Sequence, residues 1–263
     1  PEGINKGQSF GNLFLAALNG ITGSFEEAVT RMNEVLAVTG KVLPVTNANV
    51  DLVADFENGA SVVGESKIAA KKKQQNCRIH QVRLEPQKPK ALPHAIDAIL
   101  SADMIILGPG SLYTSIIPNL LVDGIVQALE KSKAPKIYVL NIMTQDGETE
   151  GYTAFDHLRA LLQHSAPHLV DACIYNTAPV PDPIQARYKT EDAEPVEIDM
   201  QRFREAGVEM YGFPLIAGGS QLARHDPALL AQAVVNVFGR CCVREGIYGA
   251  YDVLARETEP GKI

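Results

Sequence analysis

Three short apolar runs, separated by segments with helical periodicity, restrict the folds open to this chain more than any other feature. The runs are "MIILG", "KIYVLNI" and "VDACIYN", and helices are predicted before and between them over residues 94–101, 119–131 and 152–164. Strands that alternate with helices at this spacing form βαβ crossovers, which place the strands parallel in one sheet. Because the runs are apolar throughout, both faces of that sheet should be covered. The pattern therefore predicts an α/β fold with a parallel sheet.

The N-terminal part of the chain follows a different pattern. Residues 9–39 predict two helices, the second opened by Ser24 as the N-cap of a capping box with Glu27. Residues 41–92 predict a strand-rich excursion of short β-type runs, including "KVLPV". Within it, the consecutive lysines 71–73 are predicted to form an exposed turn.

The C-terminal part returns to the α/β pattern. It predicts a strand over residues 208–216 and a helix that begins at Pro227, with Asp226 as its N-cap. Residues 252–263 predict a solvated tail. We therefore expect a single α/β domain over residues 1–263.

The amino-acid composition limits the binding partners and the cellular location that we expect for this protein. The 24 Lys and Arg residues are outnumbered by 31 Asp and Glu, for a formal charge of −7, which argues against nucleic acid as a partner. No apolar stretch reaches the length of a membrane helix and no cationic leader precedes one, so we expect no membrane insertion and a cytoplasmic location. The four cysteines lack zinc-site spacing, and Pro167 separates His164 from His168, so no metal site is predicted. The sequence leaves the oligomeric state open, including a homo-oligomer.

The bend "GPGSLYTS" after the first run is a candidate binding loop. It lies at the carboxyl end of a parallel strand and before a helix, where open α/β sheets bind ligands and where amide groups favour an anion. Gly108 and Gly110 allow close backbone approach. Further donors are the hydroxyls of Ser111, Thr114 and Ser115. The pattern favours a phosphate or diphosphate as the ligand.

A second interpretation of this bend stays open. The loop is neither a Walker A loop nor G-x-G-x-x-G, because no Lys-Ser/Thr pair follows and Tyr113 stands at the third glycine position. Glycine and serine also mark ordinary tight turns, in which the hydroxyls would only cap the next helix.

The next strand ends in another polar loop, "MTQDGET", residues 143–149. Successive parallel strands place these two loops at the same sheet edge, so both are expected to present uncovered amides to a bound diphosphate. Asp146 and Glu148 have the chemistry of acid/base or magnesium groups. Acidic residues in such turns more often cap a helix or face solvent, so no catalytic role is assigned to them. Near the N-terminus, Asn12 follows Ser9 at a helix start, where an ordinary N-cap is the favoured interpretation.

Several segments together resemble the CofD-like family in order and spacing. They are "GQSFGNLFLAAL", "LGPGSLYTSIIPNLLVDGI", "KIYVLNIMTQDGET" followed by "FDHLRALLQH", and "ARHDP". The family contains bacterial gluconeogenesis factors and the 2-phospho-L-lactate transferases of deazaflavin cofactor synthesis. The resemblance spans roughly residues 7–235. It implies a Rossmann-like three-layer core with a ligand cleft along the carboxyl edge of the sheet.

In the gluconeogenesis-factor branch, the resemblance implies a regulator of carbon metabolism and cell shape that binds a UDP-sugar such as UDP-N-acetylglucosamine and requires no cofactor. By position, the nucleotide or phosphate site would contain Gly108, Gly110, Ser111, Thr114 and Ser115, with Asn12 and Thr144 nearby. Tyr188 and Arg224 would hold the nucleotide-sugar, since a tyrosine stacks on a base or sugar and an arginine offers a fork of donors to a diphosphate. Arg224 also has the simpler interpretation of a surface charge, and His225 is left unassigned.

The chain departs from the family pattern in two places. Gln8 stands where family members commonly have histidine. The family also begins with a Gly-rich strand-loop-helix and an Asp-Asp-Gly-Gly-Ser-Ser-like loop that would lie upstream of Pro1, so we expect a fold without its N-terminal strands. No catalytic residue can therefore be carried over.

Two other functions stay open at this stage. The first is an enzyme like the 2-phospho-L-lactate transferases, which would move a phospholactyl group to a deazaflavin and would need Mg²⁺. The second is a structural α/β domain whose loops only turn the chain.

Overall fold

Two helices begin the part of the chain that this computed structural model describes, residues 9–37 and 39–244, with side chains up to residue 242. They are α1 (Phe10–Thr22) and α2 (Phe25–Val35), which pack as a hairpin. Ser24 caps α2 by accepting a hydrogen bond from the Glu27 amide at 3.4 Å, as predicted. The predicted tail, residues 252–263, lies outside the described residues.

The strand-rich excursion is an antiparallel sheet in the order β2-β1-β3. Its strands are β1 (Asp51–Phe56), β2 (Ser61–Val63) and β3 (Ile79–Glu85). The run "KVLPV" forms no strand, contrary to the prediction.

The exposed turn predicted at the three lysines is also wrong, because residues Glu65–Gln75 form helix α3. This helix packs on β1 and β2. It has so few apolar residues that it resembles a polar linker in sequence, but it buries Ile68 and the stem of Lys72. A lysine contributes to packing in this way when its methylene stem lies against apolar neighbours.

The predicted parallel sheet has four strands in the order β4-β5-β6-β7. They are β4 (Ile105–Leu107), β5 (Lys136–Val139), β6 (Ala172–Asn176) and β7 (Glu209–Phe213). All three pairings are parallel, with Ile105 opposite Lys136 and Ile137 opposite Ala172. This confirms the α/β prediction from the apolar runs.

Helices cover both faces of the parallel sheet, because successive side chains of a strand point to opposite sides. Ile137 and Val139 of β5 pack in a cluster with helix α10 (Pro227–Arg244). Tyr138, between them, packs in the cluster that contains helix α7 (Ala154–Gln163). The result is a three-layer arrangement. At the start of α10, Asp226 caps the helix by accepting from the Ala228 and Leu229 amides.

The single helix predicted over residues 119–131 is not present as such. Helical structure begins earlier, at Leu112, and is interrupted before residue 125. A π-helical turn over Leu112–Ile116 runs directly into α5 (Ile117–Leu120), and α6 (Ile125–Lys131) follows a break at Gly124. The remaining helices are α4 (Pro93–Leu100), α8 (Asp182–Lys189) and α9 (Met200–Glu205). The π-helical turn contains Thr114 and Ser115, which were predicted to belong to a loop, and Ser111 directly precedes it.

The largest hydrophobic cluster draws residues from both sheets, including Phe56 and Leu84 of the antiparallel sheet and Tyr138 and Cys173 of the parallel sheet. The strand-rich excursion therefore packs directly on the α/β part. Among the described residues, no helix is both long enough and apolar enough to cross a membrane.

Candidate ligand cleft

A cleft of about 750 Å³ opens at the carboxyl ends of β4 and β5. Its walls come from the loop after β4, the loop after β5, the end of α8 and the turn before α10. This is the edge at which open parallel sheets expose strand ends to a ligand. Its size falls in the range of small-molecule sites, roughly 300–1,000 Å³.

The predicted site residues divide into two groups. Those that line the cleft are Gly110, Ser111, Thr144, Tyr188 and Arg224. Those that lie outside its lining are Asn12, Gly108, Thr114 and Ser115. The structure therefore brings five of the predicted residues together and gives the others different surroundings.

Gly108 serves the packing of the bend. Its φ is +83°, and a Cβ at this position would lie 3.1 Å from the Val139 carbonyl oxygen and 3.1 Å from the Ile116 Cδ1. Only glycine fits this conformation without strain. The sequence predicts a ligand close to the Gly108 backbone, whereas the groups that approach it in the structure belong to the protein itself.

Gly110 and Ser111 provide the open backbone amides of the cleft. The Asn141 side chain fixes the peptide between them, since its Nδ2 donates to the Gly110 carbonyl oxygen at 3.0 Å. Within the described ranges, no acceptor takes the N–H of either residue. These two N–H groups, together with the Ser111 hydroxyl, are the donors that the first loop offers to an anion.

Glu148 takes up several donors beside the cleft, including the Thr114 hydroxyl that the sequence assigned to a ligand. Its carboxylate accepts from the Tyr113 amide at 3.2 Å, the Thr114 hydroxyl at 2.8 Å and the Gln145 Nε2 at 3.0 Å. The predicted role of the Thr114 hydroxyl as an open donor therefore needs correction, because the protein's own carboxylate takes it. An anion at helix amides is favourable, and here that anion is internal.

Burial raises the pKa of Glu148 above its usual range, although hydrogen bonds from Thr114 and Tyr113 pull it down. The residue is 3% exposed. Glu148 is thus a carboxyl held behind the cleft wall rather than a group in contact with a ligand.

The loop after β5 uses most of its backbone amides internally, which corrects the prediction that both loops present them to a ligand. The Thr144 N–H donates to the Glu194 carbonyl at 2.8 Å, and the Thr144 hydroxyl accepts from the Glu194 N–H at 2.9 Å. The amide of Gln145 donates to the Thr149 hydroxyl at 2.9 Å, and the Gly147 amide donates to the Glu150 carboxylate. This loop therefore presents side chains to the cleft.

Tyr188 and Arg224 come from distant parts of the sequence but stand in the same cleft. Tyr188 ends α8 and packs against a hydrophobic cluster that includes Ile142, Val180 and Ile184. Arg224 lies in a turn closed by the Ala217 N–H, which donates to the Arg224 carbonyl at 2.9 Å. The Arg224 side chain is exposed, and no acidic group of the described chain pairs with it.

Asn12 belongs to the helix hairpin. Its amide donates to Ser9 Oγ at 3.2 Å, which is the ordinary N-cap interaction of α1. The structure thus agrees with the capping interpretation of this segment.

The two acidic residues of the loop after β5, Asp146 and Glu148, have different surroundings. One Asp146 oxygen pairs with Lys73, and the Glu148 carboxylate is enclosed by donors. No group of three or more His, Cys, Asp or Glu side chains in the described ranges is arranged to hold a metal ion. Asp146 and Glu191 nevertheless line the cleft, and the second Asp146 oxygen is buried without a partner among the described residues.

The lining residues that were missed in the sequence include Asn141, Gln145 and His225. His225 has an Nε2 that is buried without a partner among the described residues, and burial lowers its pKa despite an opposing contact with the Leu140 backbone. A signal existed for Asn141, since it is a polar residue at the end of an apolar strand. No local signal distinguishes the other two.

The fold and the cleft together define a Rossmann-like α/β protein with a cleft at the carboxyl edge of its sheet. A sequence profile of the family described as "2-phospho-L-lactate transferase CofD" matches residues 2–216. The chain therefore belongs to the CofD family.

Its relatives in this family are named for a metabolic role. The chain is 48% identical over 236 residues to the putative gluconeogenesis factor of Thermoanaerobacterium thermosulfurigenes, covering 90% of this chain and 73% of that one. It is 45% identical over 231 residues to the gluconeogenesis factor of Bacillus subtilis, covering 88% and 72%. The crystal structure of a UPF0052-family protein from Bacillus halodurans has a TM-score of 0.83 at 40% identity, covering 89% and 74%.

Proposed function

We propose that this protein binds a nucleotide-sugar, such as UDP-N-acetylglucosamine, and acts as a cytoplasmic regulator of carbon metabolism and cell shape. The proposal rests on one observation above all. The open amides of Gly110 and Ser111 share a cleft with Arg224, whose guanidinium has no acidic partner among the described residues.

The chemistry of these groups suits a diphosphate. Two adjacent N–H groups hold an oxygen anion, and a guanidinium presents parallel donors to a second phosphate. The ring of Tyr188, supported by Ile142 and Ile184, offers an apolar face for a base or a sugar. The names of the relatives support the metabolic part of the proposal, and the cleft residues support the ligand.

The decisive experiment is a calorimetric titration of the protein with UDP-N-acetylglucosamine. We expect saturable binding that Arg224→Ala weakens by at least about 1.5 kcal/mol, the scale of a charge-assisted hydrogen bond. Arg187→Ala is the matched control, because Arg187 is an exposed arginine of α8 outside the cleft lining. Equal affinities for the Arg224 and Arg187 variants would remove Arg224 from the site.

A second candidate is a transferase like 2-phospho-L-lactate transferase, which the description of the family favours. It would need Mg²⁺ and an acceptor pocket for a flat ring system. Tyr188 is the one Phe, Tyr or Trp among the described lining residues. Binding of GDP and a deazaflavin with product formation in the presence of Mg²⁺ would make this candidate the better one. Flat heats with every nucleotide would leave a structural α/β domain.

A further inference from the structure

Gln145 is a cleft residue whose side chain is held in one orientation by the buried carboxylate of Glu148. It lines the cleft, and its Nε2 donates to Glu148 Oε1 at 3.0 Å. Of the two polar atoms of the carboxamide, only Nε2 has a partner among the described residues. The carbonyl oxygen Oε1 is left to the cleft.

Glu148 determines which end of the carboxamide faces inward. An ionised carboxylate only accepts hydrogen bonds, so it holds the NH₂ end of Gln145 and excludes the oxygen end. The carboxylate is itself fixed by the Tyr113 amide and the Thr114 hydroxyl, at 3.2 Å and 2.8 Å. The orientation of Gln145 therefore depends on contacts with the first binding loop.

We propose that Gln145 is a specificity-determining residue whose Oε1 accepts a hydrogen bond from an N–H or O–H donor of the bound nucleotide-sugar, and that Glu148 is the positioning residue that imposes this polarity. The inference rests on the proposed function and adds a neutral acceptor beside the donors of Gly110, Ser111 and Arg224. Such an acceptor contributes nothing to binding of the phosphates and distinguishes ligands by their hydroxyl and N–H groups.

Protonation of Glu148 would reverse the arrangement. A neutral carboxyl has an O–H to donate, which allows the Gln145 oxygen to turn inward and its NH₂ to face the cleft. The charged groups around Glu148 are Glu65 on α3 and Glu150 on the same loop, the latter paired with Lys72. Because burial raises the pKa of Glu148, this change is expected as pH falls through a range above that of an ordinary glutamate.

The test is a calorimetric titration of the wild type, Gln145→Met and Glu148→Gln with UDP-N-acetylglucosamine and, separately, with UDP. Methionine keeps the length of the side chain and removes the acceptor. We expect about three- to tenfold weaker binding of UDP-N-acetylglucosamine by Gln145→Met, the scale of one neutral hydrogen bond. A loss with UDP-N-acetylglucosamine but not with UDP places the donor on the sugar. An equal loss with both ligands places it on the uridine.

The Glu148→Gln variant separates positioning from simple support of the fold. Wild-type affinity is expected to fall by a similar factor as the pH is lowered and Glu148 takes up a proton, whereas Glu148→Gln should have the weaker affinity at every pH. Gln201→Ala is the control, because Gln201 also donates to a glutamate, Glu205, at 3.1 Å, but lies on α9 outside the cleft. Denaturant midpoints of all variants report whether each one folds.

The outcomes distinguish two failures. A wild type that binds neither UDP nor UDP-N-acetylglucosamine would overturn the proposed function and, with it, this inference. A wild type that binds, alongside a folded Gln145→Met variant of unchanged affinity for both ligands, would overturn only the inference. The inference would also be wrong, with the proposed function intact, if Glu148→Gln kept the wild-type pH profile.

Discussion

The loops after β4 and β5 lie at the same edge of the parallel sheet but use their backbones in opposite ways. In the first, the Gly110 and Ser111 amides have no acceptor in the described part of the chain. In the second, the amides of Thr144, Gln145 and Gly147 are bound by the protein's own oxygens. The comparison shows that one loop leaves two backbone amides open, while the other uses its amides internally and braces the first through Glu148.

The largest expected difference between the two loops is in the free energy of unfolding when a glycine of each loop is replaced by alanine. In Gly147→Ala the new Cβ would lie 2.4 Å from the Ala69 Cβ and 2.6 Å from its Cα, at a φ of +79°. We expect a loss of at least about 3 kcal/mol in the free energy of unfolding, measured by urea denaturation. In Gly110→Ala the nearest atom is the Ser115 Cβ at 3.4 Å, so the expected loss is below about 1 kcal/mol.

Gly207→Ala isolates the conformational cost in this comparison. Its φ is +72°, but nothing lies within 4 Å of the added Cβ, so we expect only about 1–2 kcal/mol. If Gly147→Ala were no more destabilising than Gly207→Ala, the result would contradict the close packing of α3 against the loop after β5.

A smaller effect should come from the bond that joins the two loops. Thr114→Val keeps the shape of the side chain but removes the hydroxyl that donates to Glu148 at 2.8 Å. We expect a loss of about 1.5–3 kcal/mol in the free energy of unfolding, as for a hydrogen bond to a charged group. Thr30→Val serves as the control, since its hydroxyl donates to the Glu26 backbone carbonyl on an exposed helix face, and its loss should cost less than about 0.5 kcal/mol. Matching losses in the two variants would contradict the bracing role.

The smallest effect concerns binding and compares two serines of the first loop. Ser111 lines the cleft, whereas Ser115 is exposed outside its lining. We expect Ser111→Ala to weaken nucleotide-sugar binding by about 0.5–1 kcal/mol in calorimetry and Ser115→Ala by less than about 0.3 kcal/mol. A larger loss for Ser115→Ala than for Ser111→Ala would instead support the site predicted from the sequence, which includes Ser115.

The parallel sheet and its edge loops were predictable because their signals are local. Continuous apolar runs such as "KIYVLNI" identify buried strands, and Gly108 and Gly110 identify the bend after β4. Helix α3 was not predictable by periodicity, because its burial depends on Ile68 and a lysine stem in an otherwise polar segment.

The division of labour between the loops was not predictable from either loop alone. Glu148 meets Tyr113 and Thr114 across 34 or 35 residues of sequence, and only the folded chain brings them together. The π-helical turn has the same origin, since its hydroxyl-rich sequence resembles a loop. Cleft residues such as Gln145 became recognisable when their hydrogen-bond partners were known.

The two adjacent lysines of α3 link the loop after β5 to a helix that packs on the antiparallel sheet. Lys72 pairs with Glu150 and Lys73 pairs with Asp146. One helix therefore forms ion pairs on both sides of the tight turn around Gly147. The same helix rests on the antiparallel sheet, whose polar surface carries the Arg83–Asp55 pair at 3.2 Å. The tight turn around Gly147 is therefore tied to the antiparallel sheet through α3 and its two lysines.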